Sequence, residues 1–126
     1  MVQSDRPWQA FYGPKVRPDI GTSSYRNLPE LIRSVAETYK AAKAFTCVLP
    51  NGMNGTLSFA QADEMSDALA VYLREVAGLS AGDRVAVQMP NSLSFPVAAF
   101  GVFKAGCVLV NVNPLYTADE MAKQFE

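Results

Sequence analysis

Amide and hydroxyl side chains that could bind a ligand lie at the ends of two apolar runs. They are Asn91, Ser92 and Ser94 for the first run, and Asn111, Asn113 and Tyr116 for the second. Open α/β sheets bind ligands outside the carboxyl ends of parallel strands, which makes a ligand role one of two alternatives for each of these side chains, and the less favoured one. Asn is also a common turn and cap residue, so a purely structural role stays open for each position.

Other reactive groups are sparse. The chain has no histidine, which removes the usual general base and the commonest metal ligand. Cys47 and Cys107 are flanked by apolar residues and are predicted to be buried free thiols. Asp63 and Glu64 fall near the start of a predicted helix, where they are interpreted as a solvated acidic face. No cluster of Cys and carboxylates has the spacing of a metal site, so no metal ligand is assigned.

A βαβ unit is expected to position the polar groups. Residues 85–89 and 107–110 have the composition of strands buried on both faces, and residues 92–105 form a helix that is apolar on nearly all sides. The pattern predicts parallel strands, adjacent or one strand apart, joined by a right-handed crossover. The helix is expected to lie between two layers. Lys104, near its end, is expected to reach toward solvent.

The stretch VNVNPLYTADE, residues 110–120, ends the second strand and starts another helix. Pro114 cannot extend a sheet ladder. Thr117 is predicted to cap the next helix, with Glu120 as its capping-box partner. Strand ending and helix capping account for the stretch except for the side chains of Asn111, Asn113 and Tyr116.

The preceding part of the chain predicts two helices and a hairpin. A stripe of apolar residues starts a helix at Leu28, with Asn27 as cap and Glu30 as its box partner. Strands at 45–49 and 56–57 are joined by a Gly- and Asn-rich turn. Ser58 and Gln61 form a capping box for a helix that ends at Gly78. That helix is expected to bury Met65, Leu69, Tyr72, Leu73 and Val76.

Residues 1–27 are rich in Pro, Gly and aromatic residues and are predicted to form an irregular arm. Trp8, Phe11 and Tyr12 are expected to anchor this arm on a neighbouring surface.

Charge and hydropathy exclude several classes of protein. The net charge is −1 with scattered Lys and Arg, so nucleic-acid binding is not expected. The longest apolar run, residues 95–103, is too short to span a bilayer. The first residues lack a secretory signal, so we expect a cytoplasmic location.

Several segments in order carry a family resemblance. They are 82–86 (GDRVA), 89–92 (MPNS), 95–98 (FPVA), 100–101 (FG), 104–106 (KAG) and 110–117 (VNVNPLYT), with Glu120 and Gln124. From about Leu28 onward the chain resembles the N-terminal portion of the acyl-CoA synthetases. These are AMP-forming members of the adenylate-forming superfamily, and the similarity is greatest to bacterial long-chain fatty-acid–CoA ligases. The chain departs from this pattern at 13–14, 51–55 and 58–61, which bears on the length of the substrate.

The resemblance implies an α/β fold: the N-terminal part of the large domain, with a βαβ unit in a mostly parallel sheet, a short hairpin and flanking helices. Residues 1–27 would be the arm, and 28–126 an incomplete AMP-binding domain. The full enzyme would convert a fatty acid and ATP, with Mg²⁺, to an acyl-adenylate and pass the acyl group to coenzyme A. Its catalytic groups would lie outside these 126 residues, so the fragment is expected to be inactive and to bind none of these cofactors.

Unpaired sheet edges and apolar faces predict that the fragment self-associates. The resemblance also leaves open a peripheral association of the full enzyme with the inner membrane. Two other functions stay open: a free-standing α/β interaction module without catalysis, and a ligase of the same superfamily that acts on another carboxylic acid.

Overall fold

The computed structural model describes residues 6–19, 21 and 24–126. After a short 3-10 helix, Pro7–Phe11, the order of elements is αββαβαβα. The helices are α1 Leu28–Tyr39, α2 Phe59–Val71, α3 Ser94–Lys104 and α4 Ala118–Phe125. The strands are β1 Lys43–Val48, β2 Asn54–Ser58, β3 Arg84–Gln88 and β4 Val108–Val112. A π-helical turn, Tyr72–Val76, extends α2, and the α/β fold class is confirmed.

The βαβ unit is confirmed. Strands β3 and β4 are adjacent and parallel, with Arg84 opposite Val108 and Gln88 opposite Val112. Helix α3 contacts both strands and also α1 and α2, so it lies between two layers as predicted. The strands are not buried on both faces, however: Arg84, Ala86 and Val108 are exposed. Because side chains alternate along a strand, α3 covers one face and leaves these residues accessible on the other.

The predicted hairpin and helix caps are present. Strands β1 and β2 pair antiparallel. The capping boxes of Ser58 with Gln61 and of Thr117 with Glu120 are both formed. Asn27 caps α1 by accepting the Glu30 N–H at 2.9 Å, whereas the Glu30 carboxylate binds Arg26 and does not complete the expected box.

The buried face of α2 and its π-helical turn agrees with the prediction only in part: Leu73 is buried as predicted, and Leu69 is half-buried. Met65, Tyr72 and Val76 are exposed, and the buried side chains of α2 and its π-helical turn are Ala62, Ser66, Ala70 and Leu73. The reason is the closeness of α3: a Cβ added to Gly101 would lie 2.7 Å from Leu69 Cδ2. Because Gly101 carries no side chain, Leu69 of α2 lies directly against α3, and Met65, Tyr72 and Val76 remain on the outer side of the helix.

Lys104 does not reach toward solvent. Its side chain is 4% exposed, and its ammonium contacts Asp63 Oδ1 at 2.6 Å and Asp67 Oδ1 at 2.8 Å. It also donates to the Asp63 carbonyl oxygen at 2.9 Å. The expectation for Lys104 is therefore wrong, and so is the solvated face assigned to Asp63, because the two helices pack closely enough to enclose the lysine stem.

The arm is exposed where the structure describes it. Trp8, Phe11 and Tyr12 are all exposed, Phe11 by 89%, so their predicted anchoring is wrong. Gln9 Nε2 donates to the Pro18 carbonyl oxygen, and this hydrogen bond links two parts of the arm to each other. Residues 1–5, 20, 22 and 23 of the predicted arm lie outside the described residues.

Both cysteines are free thiols. Cys107 is buried as predicted, whereas Cys47 is half-buried. In the part of the chain that the structure describes, the helices are too short or too polar to cross a membrane.

Candidate functional site

The carboxyl ends of β3 and β4 meet at one edge of the sheet, since the parallel register places Gln88 beside Val112. The six polar residues considered as ligand contacts lie at this edge or shortly after it along the chain. They separate into two groups, one toward the β1–β2 hairpin and one in the turn after β4.

The first group faces the hairpin. Asn91 and Ser92 line a cavity of about 300 Å³ together with Leu93. The remaining walls come from β1: Phe45, Thr46, Cys47 and Val48. Ser94 begins α3 and is exposed. The hairpin was not part of the sequence prediction for this site, because a contact between elements so distant along the chain leaves no local pattern.

The second group builds a turn. Asn113 Oδ1 accepts the Leu115 N–H at 3.0 Å, and the Asn113 carbonyl oxygen accepts the Tyr116 N–H at 3.0 Å. The amide oxygen of Asn113 therefore holds its own loop, a common use of Asn. This contact favours the structural alternative for Asn113.

Gln88 is a polar residue that the sequence analysis missed. Its Nε2 donates to the carbonyl oxygens of Asn113 and Tyr116 at 3.3 and 3.4 Å. The Asn111 carbonyl oxygen likewise accepts from Gln124 Nε2 at 2.9 Å. Two glutamine side chains thus fix the backbone on both sides of the turn. The available signal was Gln88 itself, a polar residue inside an otherwise apolar strand.

The turn leads directly into α4 through a charged cap. The carboxylate of Glu120 accepts the Thr117 N–H at 2.8 Å and the Thr117 hydroxyl at 3.0 Å. The backbone hydrogen bond, and then the hydroxyl bond, hold the pKa of Glu120 below its usual value. The negative charge at this position also suits the positive end of the helix.

A larger groove, about 590 Å³, lies on the other face of the sheet. It is lined by Arg84, Ala86, Val110, Gln124, Phe125 and Glu126. Arg84 is the cationic side chain among these, and it stands on the strand face away from α3. The groove holds none of the six polar residues considered as ligand contacts.

The side chains at the strand ends are neutral amides and hydroxyls, which can hydrogen-bond a ligand but cannot neutralise a triphosphate. Within residues 6–19, 21 and 24–126, no three His, Cys, Asp or Glu side chains are placed to hold a metal ion. The described residues therefore fit neither the phosphates of ATP nor Mg²⁺, and no chemical step is derived through them.

Comparison with known proteins gives a consistent family. Residues 32–126 match the family described as AMP-binding enzyme. The long-chain-fatty-acid–CoA ligase of Salmonella typhimurium is 41% identical over 117 residues, which are 93% of this chain and 20% of that ligase. The 4-coumarate–CoA ligase 5 of Oryza sativa subsp. japonica is 36% identical over 107 residues, 85% of this chain and 19% of that protein.

The fold is also similar to that of a solved structure. The crystal structure of fatty acid AMP ligase from Legionella pneumophila is similar with a TM-score of 0.71 and 25% sequence identity. The similarity covers 81% of this chain and 18% of that one. The chain spans about one fifth of the length of the curated relatives it matches. Because the family match extends over residues 32–126 and includes the βαβ unit and the capped turn, the chain belongs to the family of AMP-binding enzymes.

Proposed function

We propose that the chain is the N-terminal scaffold of a long-chain fatty-acid–CoA ligase. The observation that carries the proposal is the 41% identity over 117 residues to the Salmonella typhimurium ligase. The arm at 1–27 and the domain portion at 28–126 would be two of its segments. The full enzyme would activate a fatty acid with ATP and Mg²⁺ and transfer the acyl group to coenzyme A.

The chain's own part in this function is positional. Helix α3 packs between the β3–β4 sheet on one side and helices α1 and α2 on the other, and two glutamines hold the turn at the end of β4. The described residues offer hydrogen-bonding groups but no cationic cluster for phosphates at the strand ends. We therefore expect residues 1–126 alone to have no adenylating activity.

A second candidate is a ligase of the same superfamily that acts on another carboxylic acid. The similarity to 4-coumarate–CoA ligase 5, 36% over 107 residues, supports it. The scaffold is compatible with both substrates, since neither similarity singles out an acid-binding residue in this chain. Under the first proposal, the full enzyme would lie in the cytoplasm and associate peripherally with the inner membrane.

A chimeric enzyme tests the proposal. This chain replaces the matching 117-residue segment of the Salmonella typhimurium ligase, and circular dichroism verifies that the chimera folds. Exchange of pyrophosphate into ATP is then measured with oleate or 4-coumarate as the acid. We expect exchange that depends on oleate. Residues 1–126 alone are the matched control and should remain at background.

Each other outcome has a defined meaning. Exchange that depends on 4-coumarate and not on oleate would favour the second candidate. A folded chimera that is inactive with both acids would contradict a scaffold role and favour a free-standing interaction module. Exchange by residues 1–126 alone would contradict the assignment of the chemistry to other parts of the enzyme.

A further inference from the structure

Two Asn-Gly dipeptides lie close together in the β1–β2 hairpin, at 51–52 in its turn and at 54–55 at the start of β2. An Asn side chain deamidates when the backbone nitrogen of the next residue attacks its amide carbon, Cγ. Gly favours this attack because it has no Cβ to obstruct the approach. Both dipeptides fall in the segment 51–55, where the chain departs from the pattern of the ligases. They have the same chemistry but different surroundings.

The first dipeptide lies in an open turn. The Gly52 N–H donates to the Leu49 carbonyl oxygen at 2.9 Å, and Gly52 has a φ of +83°. A left-handed Gly is typical of short hairpin loops, so the turn itself favours this glycine. A Cβ added to Gly52 would meet nothing within 4 Å, and residues 50–53 are all exposed. Attack by the Gly52 nitrogen therefore requires the opening of one exposed hydrogen bond and a rotation within the loop.

A backbone N–H is already placed at the oxygen of the Asn51 side chain. The Met53 N–H donates to Asn51 Oδ1 at 3.1 Å. This oxygen gains negative charge when a nucleophile attacks Cγ, and a hydrogen-bond donor at such an oxygen stabilises that charge. The reacting amide, the nucleophilic nitrogen and the stabilising donor thus come from three consecutive residues of the turn.

The second dipeptide lies in the strand ladder. Asn54 pairs with Val48 and Gly55 with Cys47 of β1. A Cβ added to Gly55 would lie 3.1 Å from Leu93 Cδ1, so the backbone of this residue packs against the segment that precedes α3. Attack by the Gly55 nitrogen requires the end of β2 to separate from both neighbours, which opens more of the structure than a change within the turn does.

We propose that Asn51 is a deamidation site, modified through attack of the Gly52 backbone nitrogen, whereas Asn54 is protected by the ladder. The nitrogen loses its proton to a base in solution and forms a bond to Asn51 Cγ. The bond from Cγ to Nδ2 breaks, and Nδ2 takes up a proton and leaves as ammonia. Water then opens the resulting succinimide at either of its carbonyl groups, giving aspartate or isoaspartate at position 51.

Both products change the hairpin. Each adds a negative charge to the turn, and isoaspartate also inserts a methylene carbon into the main chain. The Leu49 N–H donates to the Met53 carbonyl oxygen at 2.8 Å beside the turn, so a longer main chain alters the register there. Leu49 and Met53 also line a cavity of about 340 Å³ with Leu93. Deamidation should therefore loosen the hairpin where it contacts Leu93, and this inference is independent of the proposed ligase function.

Peptide mapping by mass spectrometry of the folded 126-residue chain tests the proposal. The chain is incubated in mildly alkaline buffer, and the modified fraction at positions 51 and 54 is followed over time. We expect the rate at Asn51 to exceed that at Asn54 by at least about tenfold, or about 1.4 kcal/mol in activation free energy. The same chain in guanidinium chloride is the reference, in which both dipeptides should react at similar rates because the hairpin is lost.

The variant Asn51→Gln locates the reaction. Its longer side chain would have to close a larger ring, so position 51 should stay unmodified while Asn54 reacts as in the unaltered chain. Asn54→Gln is the matched control and should leave the rate at Asn51 unchanged. Similar rates at both positions in the folded chain, or faster reaction at Asn54, would overturn the proposal. So would a folded chain in which Asn51 stays unmodified for as long as the denatured chain takes to react at that position.

Discussion

The interface between α2 and α3 and the outer face of the β3–β4 sheet are both built from apolar segments, yet only the first is closed within this chain. At the interface, Ser66 is fully buried and Val102 is 1% exposed. The outer face is the strand face away from α3 and carries Arg84, Ala86, Gln88, Val108, Val110 and Val112. Val108 is 47% exposed there, whereas Val112 at the carboxyl end of this face is 5% exposed. The two regions therefore differ in whether a second layer covers them.

The α2–α3 interface is enclosed within the chain and therefore contributes to its stability, whereas the outer face of the sheet is largely exposed. A helix that is apolar all round needs cover on all sides, and α3 obtains it from the sheet on one side and from α1 and α2 on the other. A strand of a parallel sheet normally needs cover on both faces. Substitutions in the α2–α3 interface should thus change the stability of the chain itself, whereas substitutions on the outer face should change its association.

The largest effect is expected for Lys104→Met. Removal of the ammonium leaves the Asp63 and Asp67 carboxylates without their shared partner. Loss of one member of a buried ion pair typically costs 3–5 kcal/mol, and we expect about 3 kcal/mol because Asp67 is half exposed. Urea unfolding measures the change. Lys123→Met, on the exposed side of α4, is the matched control and should change stability little. An equal cost for both variants would show that the enclosed ion cluster adds nothing.

Gly101→Ala should cost about 2 kcal/mol. The added Cβ would lie 2.7–2.9 Å from three atoms of Leu69, so the helices must separate. Overpacking costs about 1–3 kcal/mol, and the better helix propensity of Ala returns about 1 kcal/mol, so we place the clash at the upper end. A double-mutant cycle with Leu69→Ala checks the cause. Gly101→Ala should cost less in the Leu69→Ala background, and additive costs would contradict the proposed contact.

Much of this fold could be predicted because its signals are local. Capping residues such as Ser58 and Thr117 indicate where helices begin. Pro114 ends a strand because it has no backbone N–H to donate to a sheet ladder. The βαβ unit followed from two apolar runs with a helix between them. These features depend on residues a few positions apart, so a single sequence is sufficient to find them.

Several of the errors involve partners distant along the chain, whereas the exposed arm and the Glu30 carboxylate, which binds the nearby Arg26, are exceptions. Lys104 is paired with residues 37 and 41 positions earlier, and nothing near it in sequence indicates burial. The side of α2 that is buried depends on Gly101, which lies on another helix. At the candidate site, the side chain of Gln88 reaches a turn 25 and 28 positions later. Such side-chain contacts depend on how closely two distant elements pack, and the residues near each partner in sequence carry no signal for that distance.

A charge on the outer face should weaken self-association of the chain. Ala86 is exposed on β3 and lines the groove on that face, where a second copy would bury apolar surface. Ala86→Glu should raise the dissociation constant about tenfold, or 1.4 kcal/mol, because the contact would desolvate a carboxylate, a cost that an ion pair with Arg84 of the same groove offsets only in part. Sedimentation velocity over a concentration series measures it, with Ala68→Glu on α2 as the control. A chain that is monomeric at every concentration would contradict self-association, and an equal effect of both variants would place the contact elsewhere.

Thr117→Ala should cost about 1 kcal/mol through loss of the α4 cap. Helix α4 borders the groove on the outer face, so the loss should appear as faster hydrogen exchange within α4 and not within α3. Thr38→Ala is the matched control, because Thr38 lies at an exposed position of α1 and its hydroxyl bonds only to the preceding turn. Faster exchange throughout both helices would contradict a local cap.

The smallest effect concerns the pKa of Glu120. Its carboxylate accepts the backbone N–H of Thr117 and then the Thr117 hydroxyl, and these bonds hold the pKa below the usual 4.5. A carboxyl group with a lowered pKa in the folded state adds stability above its unfolded pKa, and this stability is lost as the pH falls through the folded pKa. The variant Thr117→Ala keeps the backbone bond and removes the hydroxyl, so the pKa should rise only part of the way toward 4.5.

Glu30, whose pKa is lowered by Arg26 at the start of α1, provides an internal reference, and its pKa should not change. Carboxyl ¹³C NMR titration measures both groups, and a common shift of Glu30 and Glu120 would show that the substitution acts on the whole chain instead of on this cap.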